Sequence, residues 1–156
     1  MTNSPNPGDV MEDGTIYVGE TSKGEFLYAA PQDLSNKKMG WDRASMSFRR
    51  KEFTSLGHND WKLPNKEELN MLFENRHEGS LEHSFNEVSI DDKDLYWSSE
   101  GSKYNEVADL VIPVFLSLPR YEYLAKSFSP SGKEEFRRDF YGAFVRLIRT
   151  APKPQP

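Results

Sequence analysis

No cysteine occurs anywhere in these 156 residues. That removes disulfides, thiolate zinc sites and cysteine nucleophiles together, so packed side chains must hold whatever this chain becomes. The length suffices, because a chain of this size buries roughly 68–70 % of the surface its unfolded form exposes. The packing material is aromatic: three Trp, seven Tyr and ten Phe in a chain only 36 % hydrophobic overall. A wet exterior around a core of large rings follows, and this ring content argues against a disordered chain. No stretch approaches the ~20 apolar residues of a spanning helix, so membrane insertion is not expected.

Charge narrows the partners. Twenty Lys and Arg face twenty-five Asp and Glu, for a net charge of −5. A general polyanion binder shows a basic stripe, so direct nucleic-acid binding is disfavoured. The start, Met1-Thr2-Asn3-Ser4-Pro5-Asn6, has neither a basic nor an apolar leader segment, which makes cytoplasmic residence the expectation.

Along the chain, residues 1–12 and 151–156 are polar and Pro-rich and read as tails around one domain at 13–150. Thr15-Ile16-Tyr17-Val18-Gly19 and Glu25-Phe26-Leu27-Tyr28-Ala29-Ala30 are β-formers joined by Thr21-Ser22-Lys23-Gly24, which predicts a hairpin. Trp41, Ala44, Phe48 and Leu56 approximate helical spacing, with Arg49, Arg50, Lys51 and Glu52 towards water and Gly57 as the stop. Asn65 ahead of Lys66-Glu67-Glu68 is a capping-box pattern, predicting a helix from Lys66 to about Asn75 with Leu69, Leu72 and Phe73 as its apolar stripe. A long connection follows to Asp94, then a short strand at Leu95-Tyr96-Trp97-Ser98. The apolar run from Asp109 to Leu118, broken by Pro113, reads as an edge strand or bulge. A second hairpin is expected around Ser129-Pro130-Ser131-Gly132, and a last strand from Ala143 to Arg149. Strands at both ends with two helices in the first half give an α+β domain. A terminal strand beside the first hairpin would bring the N- and C-terminal strands close together.

Reactive constellations are sparse. His58, His77 and His83 form no metal-ligand spacing, and Asp91-Asp92-Lys93-Asp94 lacks the Gly and distal Glu of an EF-hand loop. No Gly-x-Ser-x-Gly elbow, dinucleotide fingerprint or P-loop occurs. The expectation is therefore a protein without enzymatic activity, metal or cofactor.

Several segments together resemble one bacterial family. Gly8-Asp9 and Asp13-Gly14-Thr15-Ile16-Tyr17-Val18-Gly19 begin the likeness. Gly57-His58-Asn59-Asp60-Trp61-Lys62-Leu63-Pro64-Asn65-Lys66-Glu67-Glu68-Leu69 is similar to a G-x-x-D-W-R-L-P-T-x-x-E-L block. Tyr96-Trp97-Ser98-Ser99-Glu100 and Val145-Arg146-Leu147-Ile148-Arg149 resemble the Y-W-S-S-[ST]-E and V-R-P-V-R blocks. The family is the C-terminal domain of Legionella collagen-like adhesins, and the resemblance implies a C-type-lectin-like fold. Departures are Lys62 for Arg, Asn65 for Thr, Leu147 for Pro, and a region from 101 to 122 that is longer and more apolar than expected. The calcium motifs of sugar-binding C-type lectins (Glu-Pro-Asn or Gln-Pro-Asp with Trp-Asn-Asp) are missing. The related formylglycine-generating enzymes work through cysteines, which this chain lacks.

The residues of these blocks read as fold-holding: Trp61 and Trp97 as core rings, Pro64 as the extended lead into a helix, Ser98 as a backbone hydrogen-bonder, and Arg146 as the partner of an acid or of carbonyls. What remains is binding. Tyr104, Arg120, Tyr121, Arg137, Arg138 and Tyr141 belong to the residue types that dominate protein hot spots. The leading expectation is a binding module that recognises a protein partner through the 101–122 region. One alternative is a glycan or sulfated-polysaccharide binder, as the resemblance implies. The other is a small acidic inhibitor of nucleic-acid-handling machinery, of the kind phages direct against host defence.

Overall fold

In the computed structural model, which describes residues 3–49, 54–87, 94–104, 120–138 and 141–155, eight regular elements follow one another. They are β1 (Ile16–Glu20), β2 (Glu25–Ala29), α1 (Trp41–Arg49), α2 (Lys66–Glu74), β3 (Leu95–Tyr104), β4 (Arg120–Ser127), β5 (Glu134–Arg138) and β6 (Ile148–Pro152), with one 3₁₀ turn at Gly79–Leu81. The architecture is α+β, two helices with two small antiparallel sheets ordered β1–β2–β6 and β3–β4–β5. No helix among the described residues is long and apolar enough to cross a membrane.

Local chemistry explains the clearest elements. The Asn65 side chain accepts from the Glu68 N–H at 2.8 Å, and the Glu68 carboxylate accepts from the Asn65 N–H at 2.9 Å, closing the capping box of α2. Leu69 and Leu72 on that helix are buried against Ile16, Val18 and Leu27 of the first hairpin and against Tyr96 and Phe128. A second core gathers Trp41, Ala44, Trp61, Leu63, Trp97 and Val145. β6 pairs with β2 from Ala29↔Ile148 to Glu25↔Pro152, so the last strand does lie beside the first hairpin.

Four expectations need correction. The helix expected to reach Leu56 is not helical there. Ser55 and His58 exchange backbone hydrogen bonds of 3.0 and 2.9 Å around Leu56 (φ 51) and Gly57 (φ 78), a two-residue turn with both central residues left-handed. The Trp61 indole N–H takes the Ser55 carbonyl at 2.9 Å, so Gly57 ends no helix. Residues 50–53, with the polar face assigned to Arg50, Lys51 and Glu52, lie outside the described residues.

The strand expected over 143–149 starts only at Ile148. Residues 143–147 instead line up with the irregular 30–39 segment: Ala30 donates to the Leu147 carbonyl at 2.9 Å, Leu34 to Val145 at 2.8 Å, and Met39 and Ala143 bond each other. The short strand at 95–98 continues to Tyr104 through an irregularity between Trp97 and Gly101.

Neither segment read as a tail is wholly free. The Gly8 N–H donates to the Tyr17 carbonyl at 2.8 Å and the Tyr17 N–H to Asp9 at 2.9 Å, while Ala151 and Pro152 sit in β6 opposite Phe26 and Glu25. The apolar run from Asp109 to Leu118, and residues 91–93 of the Asp91-Asp92-Lys93-Asp94 stretch, lie outside the described residues.

Candidate functional site

Alternation along β4 sends Tyr121, Tyr123 and Ala125 to one face and Glu122, Leu124 and Lys126 to the other. On the first face the Tyr123 ring lies flat on Trp41, with centroids 3.8 Å apart and planes 6° apart, and meets Trp97 edge-on at 6.3 Å. Both indoles are anchored. Trp41 donates to the Ser98 carbonyl and Trp97 to the Met39 carbonyl, each at 2.8 Å. The sheet is thereby fixed to α1, and Tyr121, two residues further along the same face, emerges 51 % exposed.

Arg137 is the Cα partner of Tyr123. Its Nε and Nη2 hold Glu135 Oε1, and its Nη1 donates to the Gly142 carbonyl at 3.0 Å. That last bond ties the chain beyond β5 to the sheet and places Tyr141, 62 % exposed, next to the anchor. Of the six residues expected to meet a partner, Tyr121 and Arg137 share one face of the β4–β5 pair, and Tyr141 precedes the Gly142 that Arg137 holds. Arg138 pairs with Glu122, and alternation turns it to the opposite face. Tyr104 and Arg120 are Cα partners at the last residue of β3 and the first of β4. Most of the 101–122 recognition region, residues 105–119, lies outside the described residues.

The residues read as fold-holding are placed as follows. Trp61 and Pro64 are buried, and the Pro64 carbonyl accepts from Ser99 N–H at 2.8 Å. Trp97 and Ser98 are fully buried, and Ser98 Oγ accepts from the Glu100 N–H. Arg146 is fully buried too. Its Nε donates to Asp33 Oδ1 at 2.9 Å, its Nη groups reach the Ala30 and Ser84 carbonyls and Ser84 Oγ, and its guanidinium stacks 4.1 Å from the Phe85 centroid. Tyr96 completes the network by donating to Asp33 Oδ2 at 2.8 Å. Burial pushes the Asp33 carboxyl up, opposed by the Arg146 charge and the two donors. Burial first, and the Asp33 charge second, push the Tyr96 hydroxyl well above its ordinary range.

Two concavities flank these networks. One, of about 230 Å³, is walled by Pro31, Asp33, Leu34, Leu56 and Trp61. The other, of about 280 Å³, lies between Trp41, Ser45, Lys62, Asn65 and Glu68. The carboxylate in each is already engaged, Asp33 by Arg146 and Tyr96, Glu68 by the Asn65 N–H and by Lys62 Nζ at 3.4 Å. Among the described residues no group of three or more His, Asp or Glu could hold a metal ion. The histidines stand apart, His58 on Asp13 at 2.7 Å, His77 on Glu87 and His83 near Glu82.

Two features escaped the sequence. Asp33 carries no local signal, because its partner Arg146 is 113 residues away. Phe136, 48 % exposed on β5, did have one: a lone ring between two acids and two arginines. No protein-family model matches this chain, and no curated protein matches it.

Proposed function

We propose that this protein is a non-enzymatic binding module with a C-type-lectin-like domain, recognising a protein partner at the end of the β3–β4–β5 sheet that bears the 101–122 region. The observation that carries the reading is the pair of exposed rings, Tyr121 and Tyr141, beside Arg137 on a sheet braced by the Trp41–Tyr123 stack. Tyr and Arg are the commonest anchors of protein interfaces. A braced backing lowers the entropy lost when they are immobilised by a partner. The pairing of β6 with β2 and the presence of two helices support the lectin-like reading of the fold, alongside the three motif blocks.

The test uses two affinity columns, one carrying the wild-type chain and one the Tyr121→Ala/Tyr141→Ala variant, with matched melting temperatures. A protein retained in stoichiometric amount by the first and at least ~10-fold less by the second, about 1.4 kcal/mol, supports the reading. Equal retention by both columns overturns the site. Retention of glycans on an array, with no protein captured, overturns the partner class in favour of the polysaccharide alternative.

A further inference from the structure

Strand β5 reads Glu134-Glu135-Phe136-Arg137-Arg138 and, among the described residues, occupies the edge of the sheet order β3–β4–β5. Two backbone bonds fix which way its groups point. The Trp97 N–H donates to the Phe144 carbonyl at 3.0 Å, away from β4, so Tyr96 is the residue that bonds across to Lys126. Antiparallel ladders alternate, so Ala125 and Tyr123 turn their groups towards β5. The Ser127 N–H, donating to the Lys133 carbonyl at 2.8 Å, agrees with that phase. Glu135 and Arg137 therefore face β4, while the N–H and C=O groups of Glu134, Phe136 and Arg138 face away from the sheet.

The side chains of this edge are their own complement. Laid antiparallel on a second copy with Phe136 opposite Phe136, Glu134 falls opposite Arg138 and Glu135 opposite Arg137 at every position. The backbone permits this register, because it sets the outward groups of 134, 136 and 138 against each other as hydrogen-bonded pairs. A two-residue slip either way is also allowed by the backbone, but it opposes Glu135 to Glu135 or Arg137 to Arg137. Charges on an edge strand ordinarily discourage pairing. Here they discourage every register except the one centred on Phe136.

We propose that two copies of this chain associate by antiparallel β5–β5 pairing about a two-fold axis at Phe136, merging two three-stranded sheets into one of six strands. The interface is isologous, as a two-fold contact must be. Glu135 and Arg137 of both copies share one face, where the Glu135–Arg137 contact within each chain already holds them. Glu134, held by Lys126 at 3.2 Å, shares the other face with Phe136 and Arg138. A five-residue strand buries less than the ~1,200 Å² of a standard stable interface, so the dimer is weak and forms at high concentration. Its charge pairs lie at the surface and are screened by salt. The association does not depend on the partner reading above.

Analytical ultracentrifugation of the full chain tests it. A monomer–dimer equilibrium, weakened ~10-fold or more between low and high salt, is the expected result. Arg138→Glu and Glu134→Arg each leave the Arg137 anchor untouched and should each abolish self-association, and an equimolar mixture should restore a dimer containing one copy of each. Phe136→Pro removes one outward N–H without touching the β4 ladder, and should keep the melting temperature and lose the dimer. A wild-type chain that stays monomeric up to roughly 1 mM, a limit near −4.1 kcal/mol, overturns the proposal. So does a dimer that survives Phe136→Pro, or one that either single charge reversal leaves intact.

Discussion

The buried guanidinium of Arg146 holds the Asp33 carboxylate at 2.9 Å and joins the last part of the chain to the irregular segment after β2. Removing one member of a buried ion pair leaves the other charge uncompensated, at ~3–5 kcal/mol. Arg146→Ala should therefore lower the urea midpoint sharply, and Asp33→Asn by less, because the amide oxygen still accepts from Arg146 although its NH2 cannot accept from Tyr96. A variant Arg146→Ala within ~1 kcal/mol of wild type would show that solvent reaches the site and that the pair does not organise the core.

Trp97 is fully buried, its indole N–H committed to the Met39 carbonyl and its ring against Tyr123. Trp→Ala in a core costs ~3–5 kcal/mol, a large share of the ~5–15 kcal/mol that stabilises a domain. Circular dichroism of Trp97→Ala should show little folded protein at 37 °C. A near-native melt combined with lost partner binding would instead make Trp97 a contact residue.

Acid stability should depend on Asp13. Burial works to raise its pKa, but the Thr15 hydroxyl and N–H and the His58 ring hold it down at about 2, against an ordinary 3.8. Asp60 is likewise held low by its hydrogen bonds from Arg149. A depressed carboxylate stabilises the fold above its unfolded pKa and loses that contribution as pH falls through the folded one. The melting temperature should then fall between pH ~4 and ~2, and Asp13→Asn should flatten part of that slope. Asp33 acts in the opposite sense, since its raised pKa means that the folded state takes up the proton first. An identical slope in Asp13→Asn would acquit Asp13.

Gly8 tests whether the first residues belong to the fold. It has φ 93, and a Cβ there would come within 2.4 Å of the Glu78 carbonyl oxygen and 2.7 Å of the Gly79 Cα. Gly8→Ala should cost well over ~1 kcal/mol, from strain in the left-handed region and from the clash. Asn3→Ala, on an exposed residue, should be silent. Equal melting of the two variants would return residues 3–12 to the status of a tail.

What the sequence disclosed was chemistry between near neighbours. Asn65 and Glu68 are three residues apart, and their capping box follows from residue types alone. The β4–β5 hairpin was equally visible, because Ser129-Pro130-Ser131-Gly132 interrupts two β-forming runs. Leu56 misled because helical spacing does not reveal that Trp61 will claim the Ser55 carbonyl. The stretch 143–147 misled because its apolar pattern resembles a strand, whereas its backbone bonds are split between the non-repetitive 30–39 segment, more than a hundred residues earlier, and Leu95 and Trp97 of β3, which meet Phe144. The tyrosines and arginines of the candidate site could be named from composition. That Tyr121 and Arg137 share a face while Arg138 does not depends on the β4–β5 register.

The position of β6 also orders events in time. The chain's final strand lies beside β2, one of its first, and Ile148 also exchanges backbone bonds of 2.9 and 3.0 Å with Lys62 on its other side. During translation the β1–β2 ribbon must therefore wait, with the flank of β2 unmet, until residues 148–152 have left the ribosome. Such late, distant closure slows folding and lengthens the interval in which an open strand can recruit a stranger. A nascent chain stalled before Ile148 should be cut readily by protease, and one released past Pro152 should resist.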